Sequence, residues 1–326
     1  MPIRISNSCH LPILESHENF YTFASDEFVR GHSFCGHLVH KLSDIENSVD
    51  DFIIVLAFAA GYQSLYELIF RLAKKQTVLA PDVPVTGDGL FTYDYCLENA
   101  DKIQTVYDML EDDISRKTLA DIINFKISGK IDYLENCTTP KSEVYTDIIK
   151  PSDNEVYMDL GAYNGDTVEE FISFAGGYSK IIAAEPDRKN FKKLIKNTET
   201  LDNIYTFNNV IWECDTDIQF ASKKGRQSAV DNSGEIRQAL CVDSIAAKTA
   251  VPDIIKMDIE GAELMALNGA KKTISEKKPK LMISLYHRNE DLFELPLFIK
   301  SLRPDYRMFI RHQLYIPAWE TNLYCI

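Results

Sequence analysis

Apolar residues along this chain fall into two patterns, short uninterrupted runs and stripes at helical spacing. From about Val156 to the C-terminus the two alternate. Apolar runs predict strands at Val156 to Leu160, Ile181 to Ala184, Ile204 to Ile211, Ile254 to Ile259 and Lys280 to Tyr286. Helices are read between most of them. One, from Ala262 to Ile274, sets Leu264, Leu267, Ala270 and Ile274 on a single stripe, as a helix covering a sheet must. A longer insertion, Glu213 to Ala250, holds a candidate hairpin, Ile218 to Ala221 with Gln238 to Asp243. Tyr306 to Arg311 and Asn322 to Ile326 read as a closing hairpin. The pattern predicts a parallel, doubly wound α/β sheet finished by antiparallel strands.

Upstream, Phe52 to Phe58 is a buried-strand signal followed by a helical pattern from about Ser64 to Lys75 and a short strand, Thr77 to Ala80. That order is one β-α-β unit. Tyr95 to Phe125 reads as helix, with Ile103, Val106, Tyr107 and Leu110 on one face. Residues 1–140 are therefore expected to form a smaller α/β domain with a helical connector, and 141–326 the larger domain. Thr-Thr-Pro140 and Pro151-Ser-Asp-Asn interrupt the periodicity between them.

Charge narrows the partners. The 326 residues carry a formal net charge of −14, of which −10 falls on residues 1–140. A phosphate backbone is a poor partner for such a surface, so no nucleic acid is expected. No apolar run approaches the roughly 18 residues of a membrane span, and the N-terminus lacks a signal-like apolar core. The seven cysteines form no C-x-x-C pair, so reduced thiols and a cytoplasmic location are expected. His32-Ser-Phe-Cys35-Gly-His37, with Cys9, His10, His17 and His40, has the residue types of a metal site without the usual zinc spacing. Lys189, Lys192, Lys193 and Lys196 read as a solvated basic helix face.

In a doubly wound sheet, ligands bind beyond the carboxyl ends of the strands. Asp159, Glu185, Asp258 with Glu260, and His287 with Arg288 stand at such ends. The first strand runs into Gly161-Ala-Tyr-Asn-Gly165, a turn that needs positive φ and offers bare backbone N–H groups to a ligand. Glu185, about twenty residues beyond Gly165, is placed to accept both hydroxyls of a ribose. Ala162 and Tyr163 stand where the G-x-G-x-x-G fingerprint of a nicotinamide enzyme needs a second glycine. Asp159 would repel a pyrophosphate but can hold an ammonium group. These residues favour a cofactor with adenosine and an amino acid but no phosphate: S-adenosylmethionine.

The blocks DLGAYNGDT, IIAAEPD from Ile181, IIKMDIEGAE from Ile254, PKLMISLYHRNEDL from Pro279 and the terminal ETNLYCI together resemble the FkbM family of S-adenosylmethionine-dependent methyltransferases. The resemblance implies a Rossmann-like class I methyltransferase sheet in 141–326. It assigns Gly161, Ala162 and Gly165 to the turn around the methionine part of the cofactor, Asp159 to its ammonium, Thr167 to the helix start nearby, Glu185 to the ribose, Asn209 to the adenine and Asp258 to the wall near the reactive methyl.

Such a chain would methylate a hydroxyl of a sugar, glycan or other small metabolite. A hydroxyl acceptor needs a base, for which His287, Asp258 and Glu260 are the candidates; the ordinary histidine pKa of about 6.5 favours His287. Asp258 and Glu260 also resemble a cation-binding carboxylate pair, but two ligands do not define a metal site, and none is assigned. Arg288 and Arg311 are candidates to orient an anionic acceptor or to pair with carboxylates. Two other readings stay open: an S-adenosylmethionine-binding assembly protein without turnover, and an NAD-dependent oxidoreductase. A homo-oligomer also stays open.

Overall fold

A computed structural model describes residues 21–25, 29, 31, 33–34, 36–222, 228–230 and 235–326. The chain divides into two compact units between Pro81 and Asp82. In the first, the predicted β-α-β unit is present: Ile53–Val55 and Thr77–Leu79 pair in parallel across helix Gln63–Ala73. A three-stranded sheet of Thr22–Ala24, His37–Lys41 and Ser33–Phe34 precedes it. These strands are short and weakly buried, and apolar runs do not announce them. Of the expected His/Cys cluster, Cys9, His10, His17, His32 and Cys35 lie outside the described residues. His40 packs edge-on against Tyr21.

The second unit is built on seven strands: β1 Val156–Leu160, β2 Lys180–Ala184, β3 Ile204–Phe207, β4 Ile254–Met257, β5 Lys280–Ser284, β6 Met308–His312 and β7 Thr321–Cys325. Their order across the sheet is β3-β2-β1-β4-β5-β7-β6. The first five are parallel, while β7 inserts antiparallel between β5 and β6. This is the mixed, doubly wound sheet expected. Both faces are buried because successive residues point to opposite sides and both register rows are apolar. One row includes Tyr157, Ile254, Met282, Phe309 and Tyr324, covered by Val144, Tyr145, Ile148, Ile149 and Phe171. Tyr157 stacks on Phe171 at 4.0 Å between ring centroids.

Three segments differ in detail from the pattern. Ile204 to Ile211 is broken at Asn208-Asn209, whose side chains bond to Glu185 and Gln238 instead of continuing a ladder. The helix read over Ala262 to Ile274 is two, Glu263–Asn268 and Lys271–Lys277, separated at Gly269. Gly269 lies where an added Cβ would fall 2.3 Å from the Trp212 carbonyl oxygen. The insertion hairpin forms between Thr216–Ser222 and Glu235–Leu240, but Val242 and Asp243 open a helix rather than extend the strand.

The division expected at residue 140 is not where the contacts divide. Residues 82–140 belong with the sheet because they complete its edge. Glu111 and Thr139 donate backbone N–H bonds to the carbonyls of Met308 and His312 on edge strand β6, and the Ser115 hydroxyl accepts from the Ile310 N–H. An edge strand left bare is a template for unwanted pairing, and this segment covers it. The predicted single helix is three, Tyr93–Glu98, Ala100–Met109 and Asp113–Ser128, with Thr92 and Asp112 capping the first and third.

Candidate active site

Beyond the carboxyl ends of β1, β2, β4 and β5 lies a cavity of about 570 Å³. Its floor is set by Gly161. This residue has φ of +85°, and a Cβ there would fall 1.9 Å from the Asp258 carbonyl oxygen, so only glycine lets the β1 and β4 ends approach this closely. Tyr163 also has positive φ, at 46°. Its N–H donates to Glu185 Oε2 at 3.0 Å, while the Asp187 N–H donates to Oε1 at 2.8 Å. Two backbone donors thus hold the Glu185 carboxylate rigidly against the turn. Burial pushes its pKa up to about 7, against the lowering effect of those donors.

Asp159 does not face the cavity. It is fully buried, its Oδ1 is 3.1 Å from Lys256 Nζ, and its Oδ2 accepts from the Thr167 hydroxyl. Burial raises its pKa, and Lys256 opposes that rise. The expected partner for a ligand's ammonium is therefore already paired with an ammonium of the protein. Lys256 is the residue that lines the cavity, together with Thr167. Burial works against the lysine's charge, but Asp159 and Asp258 more than offset it, and its pKa is raised.

At the far wall, Asp258 Oδ1 accepts from the Tyr286 hydroxyl at 2.8 Å. Burial pushes Asp258 up, yet Lys256 and His287 hold it below the usual carboxylate range. Glu260, at φ of 57°, also lines the cavity.

His287 is a different case from the one expected. It is fully buried and does not line the cavity; its Nδ1 lies 2.9 Å from Glu263 Oε1, and its Nε2 lies 3.3 Å from Asp258 Oδ1 and 3.7 Å from Glu260 Oε2. Neither ring nitrogen makes an aligned hydrogen bond, so these are charge contacts. Burial disfavours the imidazolium, but Glu263 and the other carboxylates outweigh it and push the pKa up to about 10. With both ring nitrogens turned to carboxylates and the ring away from the cavity, His287 is not placed to meet an acceptor there.

Of the remaining candidates, Ala162 is buried under the turn, and Gly165 caps the following helix, Asp166–Ala175. Neither lines the cavity. Asn209 is not at the wall either: its amide donates to Gln238, and the neighbouring Val210, Ile211 and Trp212 line the space. Arg288 borders the cavity with Nε on the Gly261 carbonyl. Arg311 is buried and committed to Asp112 and Ser115. Lys189, Lys192, Lys193 and Lys196 are exposed, as a solvated face should be.

Pattern reading passed over Lys256, Glu170 and Glu263. Lys256 carried a signal, being a lysine inside the otherwise apolar run Ile254-Ile-Lys-Met257. Glu170 came from no strand end. It reaches the cavity from helix Asp166–Ala175 and is held by Lys141 at 3.0 Å and the Tyr145 hydroxyl at 3.1 Å.

The FkbM methyltransferase domain profile matches residues 159–317, spanning the residues of the cavity floor and far wall described above. Residues 159–317 belong to the FkbM methyltransferase family. The seven-stranded, mainly parallel sheet, of which that span forms most, has the Rossmann-like class I methyltransferase architecture. Over a wider stretch the chain is similar to a crystal structure of methyltransferase FkbM from Methylobacillus flagellatus, with 25% identity, TM-score 0.74, and coverage of 94% of this chain and 83% of that one. Looser overlaps include precorrin-6y C5,15-methyltransferase from Geobacter metallireducens (11% identity, 58% of this chain and 90% of that one, TM-score 0.35). Another is Aeropyrum pernix fibrillarin solved with S-adenosylmethionine (9% identity, 56% and 71%, TM-score 0.35). No curated protein matches the sequence. Among the described residues, no helix is long and apolar enough to cross a membrane.

Proposed function

We propose that this protein methylates a hydroxyl oxygen of a sugar, glycan or other small metabolite, using S-adenosylmethionine. The observation that carries the reading is Glu185, a buried carboxylate on the cavity wall with each oxygen fixed by one backbone N–H and each keeping a lone pair for a ribose hydroxyl.

The rest of the cavity fits the same ligand. Gly161 lets a ligand lie against bare backbone, and Lys256 and Glu170, paired within the protein to Asp159 and Lys141, add polar groups to the wall. Val210, Ile211 and Trp212 supply an apolar wall for a base. Bound there, S-adenosylmethionine supplies an activated methyl group on a sulfonium sulfur. The chain's own contribution is to position the acceptor and to take a proton. Asp258 is the residue for that proton: its carboxylate lines the cavity at the end of β4, ionised at neutral pH and oriented by Tyr286. Glu260 stands beside it. His287 orients the wall from behind.

Calorimetric titration with S-adenosylhomocysteine tests the reading. Micromolar binding is expected, weakened by about 1 to 3 kcal/mol in Glu185→Ala. Absence of heat and of thermal shift with either form of the cofactor overturns it. Product formation across a panel of saccharide and metabolite acceptors then separates an enzyme from a binding protein that holds the cofactor without turnover.

A further inference from the structure

Behind the wall that Asp258 presents to the cavity, three carboxylates converge on one imidazole. His287 Nδ1 is 2.9 Å from Glu263 Oε1, and Nε2 is 3.3 Å from Asp258 Oδ1 and 3.7 Å from Glu260 Oε2. One donor atom each from Asp258, Glu263 and His287 lies within 4.8 Å of the other two. Donors bonded to a small divalent ion at about 2.0 to 2.2 Å stand roughly 3 to 4.4 Å from one another, close to this spacing.

Lys256 and the His287 ring both favour the charged form of Asp258. Lys256 pairs with Asp159, and Arg288 turns its Nε to the Gly261 carbonyl and its NH1 toward Glu290. Glu263 and His287 are fully buried, yet Glu263 Oε2 and both His287 nitrogens have no aligned hydrogen bond. Buried polar atoms are normally satisfied, and these three leave the cluster short of aligned partners.

We infer that Asp258, Glu263 and His287 form a binding site for one divalent metal ion of the manganese type. One imidazole nitrogen with carboxylate oxygens is a donor set that suits Mn²⁺ or Zn²⁺, whereas Mg²⁺ favours oxygen and water alone. The backbone prepares the site. The Ile259 N–H fixes Glu263 Oε1 at 2.9 Å, Tyr286 fixes Asp258, and the His287 carbonyl accepts from the Thr86 N–H at 3.0 Å. Where the methyl-transfer reading holds, an ion here would hold the Asp258 wall from behind, since Glu263 and His287 do not line the cavity. The site itself does not depend on that reading.

The test uses the full-length protein stripped with a chelator, titrated with MnCl₂ without cofactor or acceptor, and free Mn²⁺ measured by electron paramagnetic resonance. One bound ion per chain is expected, with affinity falling at least tenfold in Glu263→Gln and in Asp258→Asn. Both variants keep an oxygen acceptor for Ile259 and Tyr286, and circular dichroism with thermal unfolding checks that they fold. His287→Ala is the stronger variant and is used where it remains folded. No Mn²⁺ binding by the wild-type chain at millimolar metal, or equal binding by wild type and both folded conservative variants, overturns the assignment. Because cofactor is absent from this titration, its outcome is separate from that of the S-adenosylhomocysteine experiment.

Discussion

Lys256 on β4 and Asp159 on β1 are register partners, and their side chains meet at 3.1 Å beneath the cavity, with Asp159 fully buried and Lys256 at 13% exposure. Both carry charge out of water, so each is tolerable only with the other. Lys256→Met should destabilise the protein by about 3 to 5 kcal/mol by leaving Asp159 uncompensated. The double variant Lys256→Met with Asp159→Asn should recover much of that loss. Urea unfolding of the singles and the double closes the cycle; additive losses would show that the two do not act as a pair.

Glu185 makes ligand binding depend on pH. Its pKa stands at about 7 in the folded chain because burial disfavours the carboxylate. The group is raised relative to the unfolded chain, so its contribution to stability is fully present below about 4.5 and is lost as pH rises through about 7. Accepting two ribose hydroxyls requires the ionised form. Affinity for S-adenosylhomocysteine should therefore strengthen as pH rises from 6 to 8 and level off above, while apo stability falls over the same interval. Glu185→Gln should flatten both curves. Titrations at several pH values check this, and a wild-type affinity independent of pH would place the ribose elsewhere.

Much of this site is legible in sequence because strand ends are. Gly161, Glu185 and Asp258 occur where an apolar run stops, and the sheet brings those stops together. What stayed hidden follows from direction rather than position. Asp159 is one residue short of its strand's end, and alternation turns its side chain toward Lys256 under the cavity. His287 follows a strand end in sequence, but Glu263, from a helix start, draws its ring inward. Glu170 and Tyr145 reach the cavity from helices, where periodicity reports only an apolar face. The edge role of residues 82–140 was hidden for a related reason: backbone bonds at Glu111 and Thr139 leave no trace in a hydrophobic pattern.

That edge gives a test of where the larger unit begins. Arg311 on β6 donates to Asp112 Oδ2 at 2.6 Å and to the Ser115 hydroxyl at 2.7 Å, joining the start of helix Asp113–Ser128 to the last strand of the sheet. Arg311 is buried, whereas the Asp112 side chain retains 32% exposure, which screens part of the pair's energy. Arg311→Met should cost about 2 to 3 kcal/mol, less than a fully buried pair. Burial pushes Asp112 up, but Arg311 and Ser115 hold it below the usual range, so this stabilisation should be present above about pH 4 and disappear as pH falls below it. If 82–140 is part of the sheet's unit, denaturant unfolding of Arg311→Met followed by circular dichroism and by fluorescence of Trp212 and Trp319, both outside 82–140, should shift together in one transition. A helical transition separating from that of the tryptophans would show instead that the segment folds apart from the sheet it borders.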